Sequence, residues 1–445
     1  GRSGVISAAQ LSESGAAVCG IMILLIPLAL AGIALMNAGL IRSRSAAHSL
    51  VSALTAMGVA ALIYFVFGFA WQSFAGRPAY AITIAGNPWS WLGADPFFLR
   101  GLKLESFDTL AGSGAGFAAC FGMLSAALAA LIPLGAGAER WRLRSACAST
   151  AFLAGWTYPL FAHWVWGGGW LAQLGVNYGA GLGFVDIGGA ATIQAVGGLS
   201  ALSIVWLLGP RRGKYSQDAM PAAIPGHNMV FVLFGCLLAL MGWFGLNSAG
   251  AILFYGASPG RIALVGINTT LSAASALVSA ALITRARFSK PDASLSANGW
   301  TGGLVASSAC AAFLAPAGAV IIGLVAGALV PFSIEWLELH LNIDDPGGSI
   351  SVHAIAGLWG VLAAGLFGRF PGASGAPGQW LAQLAGIATL LGFVLPMTYA
   401  INWTLDRVVR HRVAADGERQ GMDLHELGAN AYPELVSHLE DFTQR

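Results

Sequence analysis

Asp186-Ile-Gly-Gly-Ala-Ala-Thr-Ile-Gln194-Ala-Val-Gly-Gly-Leu199 has a counterpart 159 residues further on, Asp345-Pro-Gly-Gly-Ser-Ile-Ser-Val-His353-Ala-Ile-Ala-Gly-Leu358. In each copy an aspartate leads, a Gly-Gly pair follows, and a long polar side chain stands eight residues after the aspartate. A match of this kind over fourteen positions, with Gln194 and His353 at the same place, marks an internal repeat. What the repeat builds depends on the chain around it.

That chain is apolar almost throughout. Of its 445 residues 56% are hydrophobic and 9% are charged, with mean hydropathy +0.71. Soluble domains carry about 25% charged residues, so secreted and cytosolic enzymes are poorly supported. A net charge of +2 gives no basic footprint for nucleic acid. The composition reads as an integral membrane protein of many helices, and its 60 glycines suit helices that approach closely in lipid. Cys19, Cys120, Cys147, Cys236 and Cys310 fall in apolar runs without metal or disulfide spacing, and read as small buried hydrophobes. No nucleophile–base pair, metal cluster or phosphate loop stands out, so neither an enzyme nor a cofactor is expected.

Runs of roughly 20 apolar residues can cross a bilayer as helices. Such runs predict spans at 15–39, 50–74, 114–137, 146–166, 188–208, 229–254, 262–284, 297–314, 317–337, 350–368 and 380–405. The fold class is therefore an all-α integral membrane protein of eleven transmembrane helices. The repeat copies fall on the fifth and tenth spans, and a separation of five sets them in opposite directions. An inverted repeat of this kind places its site near the midplane, where the halves meet. Gln194 and His353 are then expected about one and a half turns inside their helices, facing the bundle interior or a pore. A simple interhelical hydrogen bond is the other reading; the matched pair favours the pore.

Orientation follows from Lys and Arg. With the N-terminus outside, sixteen of the 22 lie on inner segments, from Arg42 and Arg44 to the run after Arg407. The N-terminus is expected outside and the C-terminus in the cytosol, in a plasma (inner) membrane. The chain begins Gly1-Arg2-Ser3, and a removed leader or expression remnant is expected ahead of it. Loop 76–112 carries Trp89, Trp91, Phe97 and Phe98, which suit an interfacial belt. Residues 1–405 form the transmembrane domain, and 406–445 a polar cytosolic tail too short for a domain of its own.

Gly32-Ile-Ala-Leu-Met-Asn-Ala-Gly-Leu-Ile-Arg42, Gly135-Ala-Gly-Ala-Glu-Arg140, Ala162-His-Trp-Val-Trp-Gly167, Gly242-Trp-Phe-Gly-Leu-Asn247, Asp345-Pro…Val352-His353 and the tail Gly421-Met-Asp-Leu…Gly428-Ala-Asn-Ala-Tyr432 together resemble the ammonium transporter (Amt/Mep/Rh) family. The resemblance covers nearly the whole chain. It implies two inverted five-helix halves plus a final helix, one pore per subunit and a homotrimer. Trp166 matches the outer tryptophan, whose ring face can hold a cation at about 0.5–2 kcal/mol. Asp186 matches the acid of the outer recruitment site, acting by its field or as a helix cap. His353 matches the second histidine of the pore pair. His163 matches a family position without a pore role and is expected as a packed, hydrogen-bonded histidine.

The departures from the family are informative. Gln194 stands in place of the first pore histidine. Ser125 and Leu246 stand where two gate phenylalanines are usual, the second just before Asn247. Gly250 replaces a small hydroxyl, with Ser248 two residues earlier as the candidate for that role. Met36 and Asn37 replace an aromatic pair. An ammonium-sized ion costs several kcal/mol to desolvate, which favours leaving its proton outside. Two facing imidazoles can pass that proton on; the amide of Gln194 does not titrate, so direct histidine-to-histidine transfer is ruled out while transfer through water is not. Without its phenylalanines the gate is expected to be wider. The expected function is a channel or uniporter for ammonium/ammonia or a small nitrogenous solute such as an alkylamine or amide. The alternative is a non-conducting ligand sensor that signals through its tail to a separate partner, such as a P-II-type regulator.

Overall fold

The computed structural model describes residues 11–215, 220–370 and 378–433; the expectation for the first residues and for the end of the tail lies outside these. Among the described residues nine helices are long and apolar enough to cross a membrane: α1 (Glu13–Gly39), α2 (Ser43–Gln72), α3 (Leu110–Gly137), α5 (Ala190–Leu208), α6 (Met229–Tyr255), α7 (Pro259–Phe288), α9 (Pro316–Leu341), α10 (Ile350–Phe367) and α11 (Gln379–Val408). Two further rods interleave with them. The first, α4, runs over 143–165 and widens at Leu153–Thr157 into a turn of five-residue hydrogen bonds. The second, α8, covers only Ala293–Ser307, about 22 Å at 1.5 Å per residue, before a tight turn at Ala311–Phe313. Both were expected as full apolar spans.

Side chains with free oxygens start several helices, because the first N–H groups of a helix have no partner within it. Ser12 accepts from the Gly15 N–H at 3.0 Å, Thr109 from Gly112 at 3.2 Å, Asn228 from Phe231 at 3.0 Å and Asp292 from Leu295 at 2.8 Å. α1 packs along α6, α7 lies against α8 and α9, and α5 runs between α3 and α11. Leu24, Leu54, Leu62 and Val230 point outward, each more than two-thirds exposed, while Gln194, Asn247, Asn268 and Thr269 are fully buried. This inversion is stable in lipid, where apolar side chains meet apolar solvent and polar ones must find partners inside.

The bundle has two distinct ends. At one, loop 76–112 forms a hairpin, β1 (Ala79–Ile84) against β2 (Asn87–Gly93), and its expected aromatic belt is partly buried: Trp89 is 5% exposed, while Trp91, Phe97 and Phe98 reach the surface. At the other, Arg211 joins Asp344 and Glu139, at 2.9 and 2.6 Å, while Arg140 donates to the Asp344 carbonyl at 2.7 Å. The tail crosses this second end. The Glu418 carboxylate accepts from Arg412 at 2.9 Å and from the Arg212 N–H at 2.7 Å. Asp423 accepts from the His48 N–H at 2.7 Å near the start of α2, and Glu426 from the Leu143 N–H at 2.8 Å at the start of α4. Cys19, Cys236 and Cys310 are buried as expected, but Cys120 is exposed on α3 and Cys147 on α4 is only half-buried.

Candidate functional site

The two repeat copies fold alike. Oδ2 of Asp186 accepts from the N–H of Ala191 at 3.0 Å, the N–H of Thr192 at 2.8 Å and the Thr192 hydroxyl at 2.8 Å. Oδ2 of Asp345 accepts from the Ile350 N–H at 2.7 Å, the equivalent position. Gly189 and Gly348, also equivalent, hold φ of +92° and +65°, a left-handed conformation that a side chain would strain. The helices then open on wide turns, Ala190–Ala195 and Ile350–Ile355. Gln194 and His353 therefore sit on the first turn of each helix, nearer its start than expected, because a wide turn takes up more residues.

α5 and α10 cross at a second equivalent pair. A Cβ at Gly198 would lie 2.3 Å from the Ala354 nitrogen, and one at Gly357 2.6 Å from the Ala190 carbonyl oxygen. Only hydrogen fits at either position. This close approach brings Gln194 against His353: the imidazole Nδ1–H donates to the Gln194 carbonyl oxygen at 2.7 Å, with both side chains buried. Nε2 of His353 then keeps its lone pair, and the buried Gln194 Nε2 has no partner. One acceptor and one free donor group are left at the join.

Toward the hairpin end, Trp166 donates its indole N–H to the Asp186 carbonyl at 2.7 Å, and the Asp186 N–H bonds the Tyr255 hydroxyl at 2.9 Å. Phe254 lies flat on the Trp166 ring, centroids 4.7 Å apart and planes within 1°, and Phe121 stands edgewise to both at 5.4 and 5.3 Å. A cavity of about 290 Å³ opens beside them, lined by Phe74, Arg77, Trp166, Phe254 and Tyr255. Asp186 thus has its cap role, and its Oδ1 remains buried without a donor.

The other candidates are distributed unevenly. Ser125 and Leu246 are fully buried, Ser125 one turn along α3 from Phe121 and Leu246 two turns before Phe254 on α6. Asn247 donates to Thr269 at 2.9 Å, and its Oδ1 lies against Gly188, where a Cβ would be 2.0 Å away. Ser248 is buried, and among the described residues its hydroxyl has no hydrogen-bond partner. Gly250 is the position on α6 that meets the Asp186 turn, a Cβ there falling 2.0 Å from the Ile187 carbonyl, and Ser248 lies about 160° round the helix from it. His163 is packed, its ring bonded to Ser90 at 2.8 Å and to the Gln72 carbonyl at 2.7 Å. Sequence reasoning missed Phe121, Phe254 and Tyr255. Phe121 was within reach, standing one turn before Ser125 on the same face.

A bundle of membrane-length helices, with two repeat-related helices crossing over a buried polar pair, is the architecture of a helical transport or sensing protein. The family model of the Ammonium Transporter Family matches residues 17–432, and the chain belongs to that family. Ammonium transporter Amt2 of Archaeoglobus fulgidus is 35% identical over 437 residues, 95% of this chain and 88% of that one. An ammonium transporter of Bacillus subtilis is 28% identical, covering 93% and 97% of the two chains. Among solved structures, one titled Sensor Amt Protein has TM-score 0.81 and 28% identity, covering 93% of this chain and 98% of that one. Candida albicans Mep2, at TM-score 0.78 and 23% identity over 92% and 88%, shares the fold.

Proposed function

We propose that this chain is a channel or uniporter for ammonium/ammonia or a small alkylamine. The observation that carries the reading is the buried 2.7 Å bond between Gln194 and His353, made by repeat-related residues where α5 crosses α10. In this reading α4 and α8 complete eleven spans in two inverted halves, residues 1–405 form the transport domain, and the subunits assemble as a homotrimer. The arginines at the tail end support a cytosolic tail and an external hairpin. The tail, 406–445, is the place for a P-II-type regulator to bind.

Neutral ammonia has three N–H groups and one lone pair. It therefore suits a site that offers the His353 lone pair and the Gln194 amide donor, which an ammonium ion, lacking a lone pair, does not match. Asp186 and Trp166 serve the charged form outside, the first by its field and the second by its ring. Shedding the proton to water there avoids desolvating the ion within the bundle. Gln194 cannot relay that proton, so its passage, where it occurs, goes by water. Phe121 and Phe254 set the width of the entrance, and Ser125 and Leu246 lie deeper on the same two helices, at the constriction.

The test is uptake of labelled methylammonium into proteoliposomes by wild type, Gln194→Leu and His353→Leu. Flux in the wild type, with at least a tenfold loss in both variants, is the expected result. Equal flux in all three refutes the role of the pair.

A sensing protein without conduction is the second reading, favoured by the ring of Phe254 lying over Trp166 and by the likeness to the Sensor Amt Protein. Methylammonium binding in detergent without flux in proteoliposomes selects it.

A further inference from the structure

His411 lies just past the end of α11 and is fully buried at the root of the tail. Its Nε2 is 2.9 Å from the Asn402 carbonyl oxygen. A carbonyl only accepts, so Nε2 carries a proton and donates it. Nδ1 is buried without a partner, so the form that fits is the neutral ring with its lone pair there. The Trp141 ring stands edgewise to the imidazole, centroids 6.0 Å apart, and packs with Ala146, Ile204 and Leu208. A second proton, placed on Nδ1, would meet no acceptor.

The segment that holds this ring is the attachment of the tail. Arg412 pairs antiparallel with Trp141 on the link between α3 and α4. The Arg142 N–H donates to the His411 carbonyl and the Val413 N–H to the Arg140 carbonyl, both at 2.9 Å. The Arg412 guanidinium donates to the Leu208 and Pro210 carbonyls at 2.7 and 2.8 Å. It thereby closes the end of α5, where helix carbonyls lack partners of their own, and α5 is the helix that carries Gln194.

Charge on the elements around the ring is one-sided. The link brings Arg140 and Arg142, α4 brings Arg144 and the thiol of Cys147, and α11 brings Asp406 and Arg407. The tail adds Arg410, Arg412 and Glu418, and α5 brings no charge. Glu418 is bonded to Arg412 at 2.9 Å, and Asp406 already accepts the His411 N–H at 2.7 Å. Burial pushes the imidazole below its ordinary 6.5, against the opposing pull of Asp406 and the Asn402 carbonyl. A freed ring titrates at its ordinary value, so docking of this segment is strongest above 6.5 and weakens as pH falls below it.

We propose that His411 is a pH-sensitive latch: a proton taken up at Nδ1 from the solution on the tail side frees 410–413 from 140–142, and with it the Arg412 contacts to the end of α5. The latch serves a conducting protein and a sensing one alike. Farther along the tail His48 bonds Glu426 at 2.8 Å, where a proton makes the contact charge-assisted and does not break it. Acid therefore loosens the root of the tail and leaves its far contact in place.

The test is hydrogen–deuterium exchange of the full-length protein in detergent between about pH 7.5 and 5.5, with rates corrected for the intrinsic pH dependence of exchange. The wild type is expected to lose protection about tenfold over 140–142 and 409–413, as one linked proton requires, while 422–431 keeps its protection. His411→Phe keeps a ring and His411→Gln keeps a donor for the Asn402 carbonyl, and neither side chain titrates. At least one of the two is expected to hold its protection unchanged across the range. Wild-type protection that is constant with pH, the same acid loss in both variants, or a loss at 422–431 without one at 140–142 overturns the proposal. Both variants unprotected at pH 7.5 overturn it as well, because the packing of the ring and not its charge then holds the tail.

Discussion

Phe254→Ala is the most revealing perturbation at the outer entrance. The phenyl ring lies 4.7 Å from the Trp166 ring in a parallel stack, so it occupies a face that a cation would use. Such a stack contributes about 0.5–1.5 kcal/mol, and a cation over the bared indole gains about 0.5–2 kcal/mol. Ring and cation compete for one surface, so binding carries the cost of unstacking. Removing the ring is expected to lower the apparent KM for methylammonium roughly two- to tenfold, the equivalent of that stacking energy. Truncating a buried ring also destabilises, by about 3–5 kcal/mol, so thermal unfolding is followed in parallel and Phe254→Leu serves as the control that keeps most of the bulk. Trp166→Leu removes the binding face and is expected to raise KM in either background. The assay is initial uptake of labelled methylammonium over a concentration series. A KM unchanged or raised in Phe254→Ala, with the protein still folded, refutes the competition and makes Phe254 part of the binding surface.

Ser125→Phe with Leu246→Phe puts two rings into fully buried positions; the expected result is a lower ratio of methylammonium to ammonia flux with a stability loss of about 1–3 kcal/mol from overpacking, and an unchanged ratio removes both positions from the gate. Burial alone would raise the Asp344 carboxyl, but hydrogen bonds and charge from Arg211, with the charge of Arg140, bring it down from 3.8 to about 2. A depressed pKa gives stability that is present above about 4 and is lost as pH falls through about 2, some 2 kcal/mol for this shift. Asp344→Asn is therefore expected to lower the melting temperature at pH 7 and to flatten its fall between pH 4 and 2; an acid limb of unchanged steepness counts against the Arg211 pairing. Asp423→Ala removes the acceptor for the Ala47 and His48 N–H groups, a cap worth about 1 kcal/mol, and faster amide exchange at 46–48 and 422–431 is the expected sign that the tail is loosened. Exchange that stays as in the wild type shows that the tail is held by Glu418 and Glu426 instead.

The membrane class and the paired aspartates were legible in the sequence because each rests on local facts. A bilayer requires long apolar runs wherever a helix is bathed in lipid, and a helix start needs a free acceptor close by in the chain, which Asp186 and Asp345 supply. Both α4 and α8 fit that reading less well: the first is diluted by Arg144, Thr150, Thr157 and His163, and the second stops at Ser307. Apolar content records burial, and a helix shielded by its neighbours is as apolar as one facing lipid. The repeat spacing set Gln194 and His353 at equivalent positions, but their bond needs α5 and α10 to touch at Gly198 and Gly357. Glycine in an apolar run reads the same whether another backbone lies against it or not.

The entrance was the least legible part. The family resemblance identifies Ser125 and Leu246 as missing rings, yet Phe121 and Phe254 come from different helices and meet each other and Trp166 only in the fold. Ser248, chosen for its hydroxyl, proved to be on another side of α6 from Gly250. What the sequence by itself determined was the chemistry carried by each segment: apolar spans, capping acids, and a titrating residue matched by one that does not titrate. Which of those groups face one another, and which are left without a partner, was decided only by the tertiary structure, because helix crossing angles and contacts follow from the packing of side chains far apart in the chain.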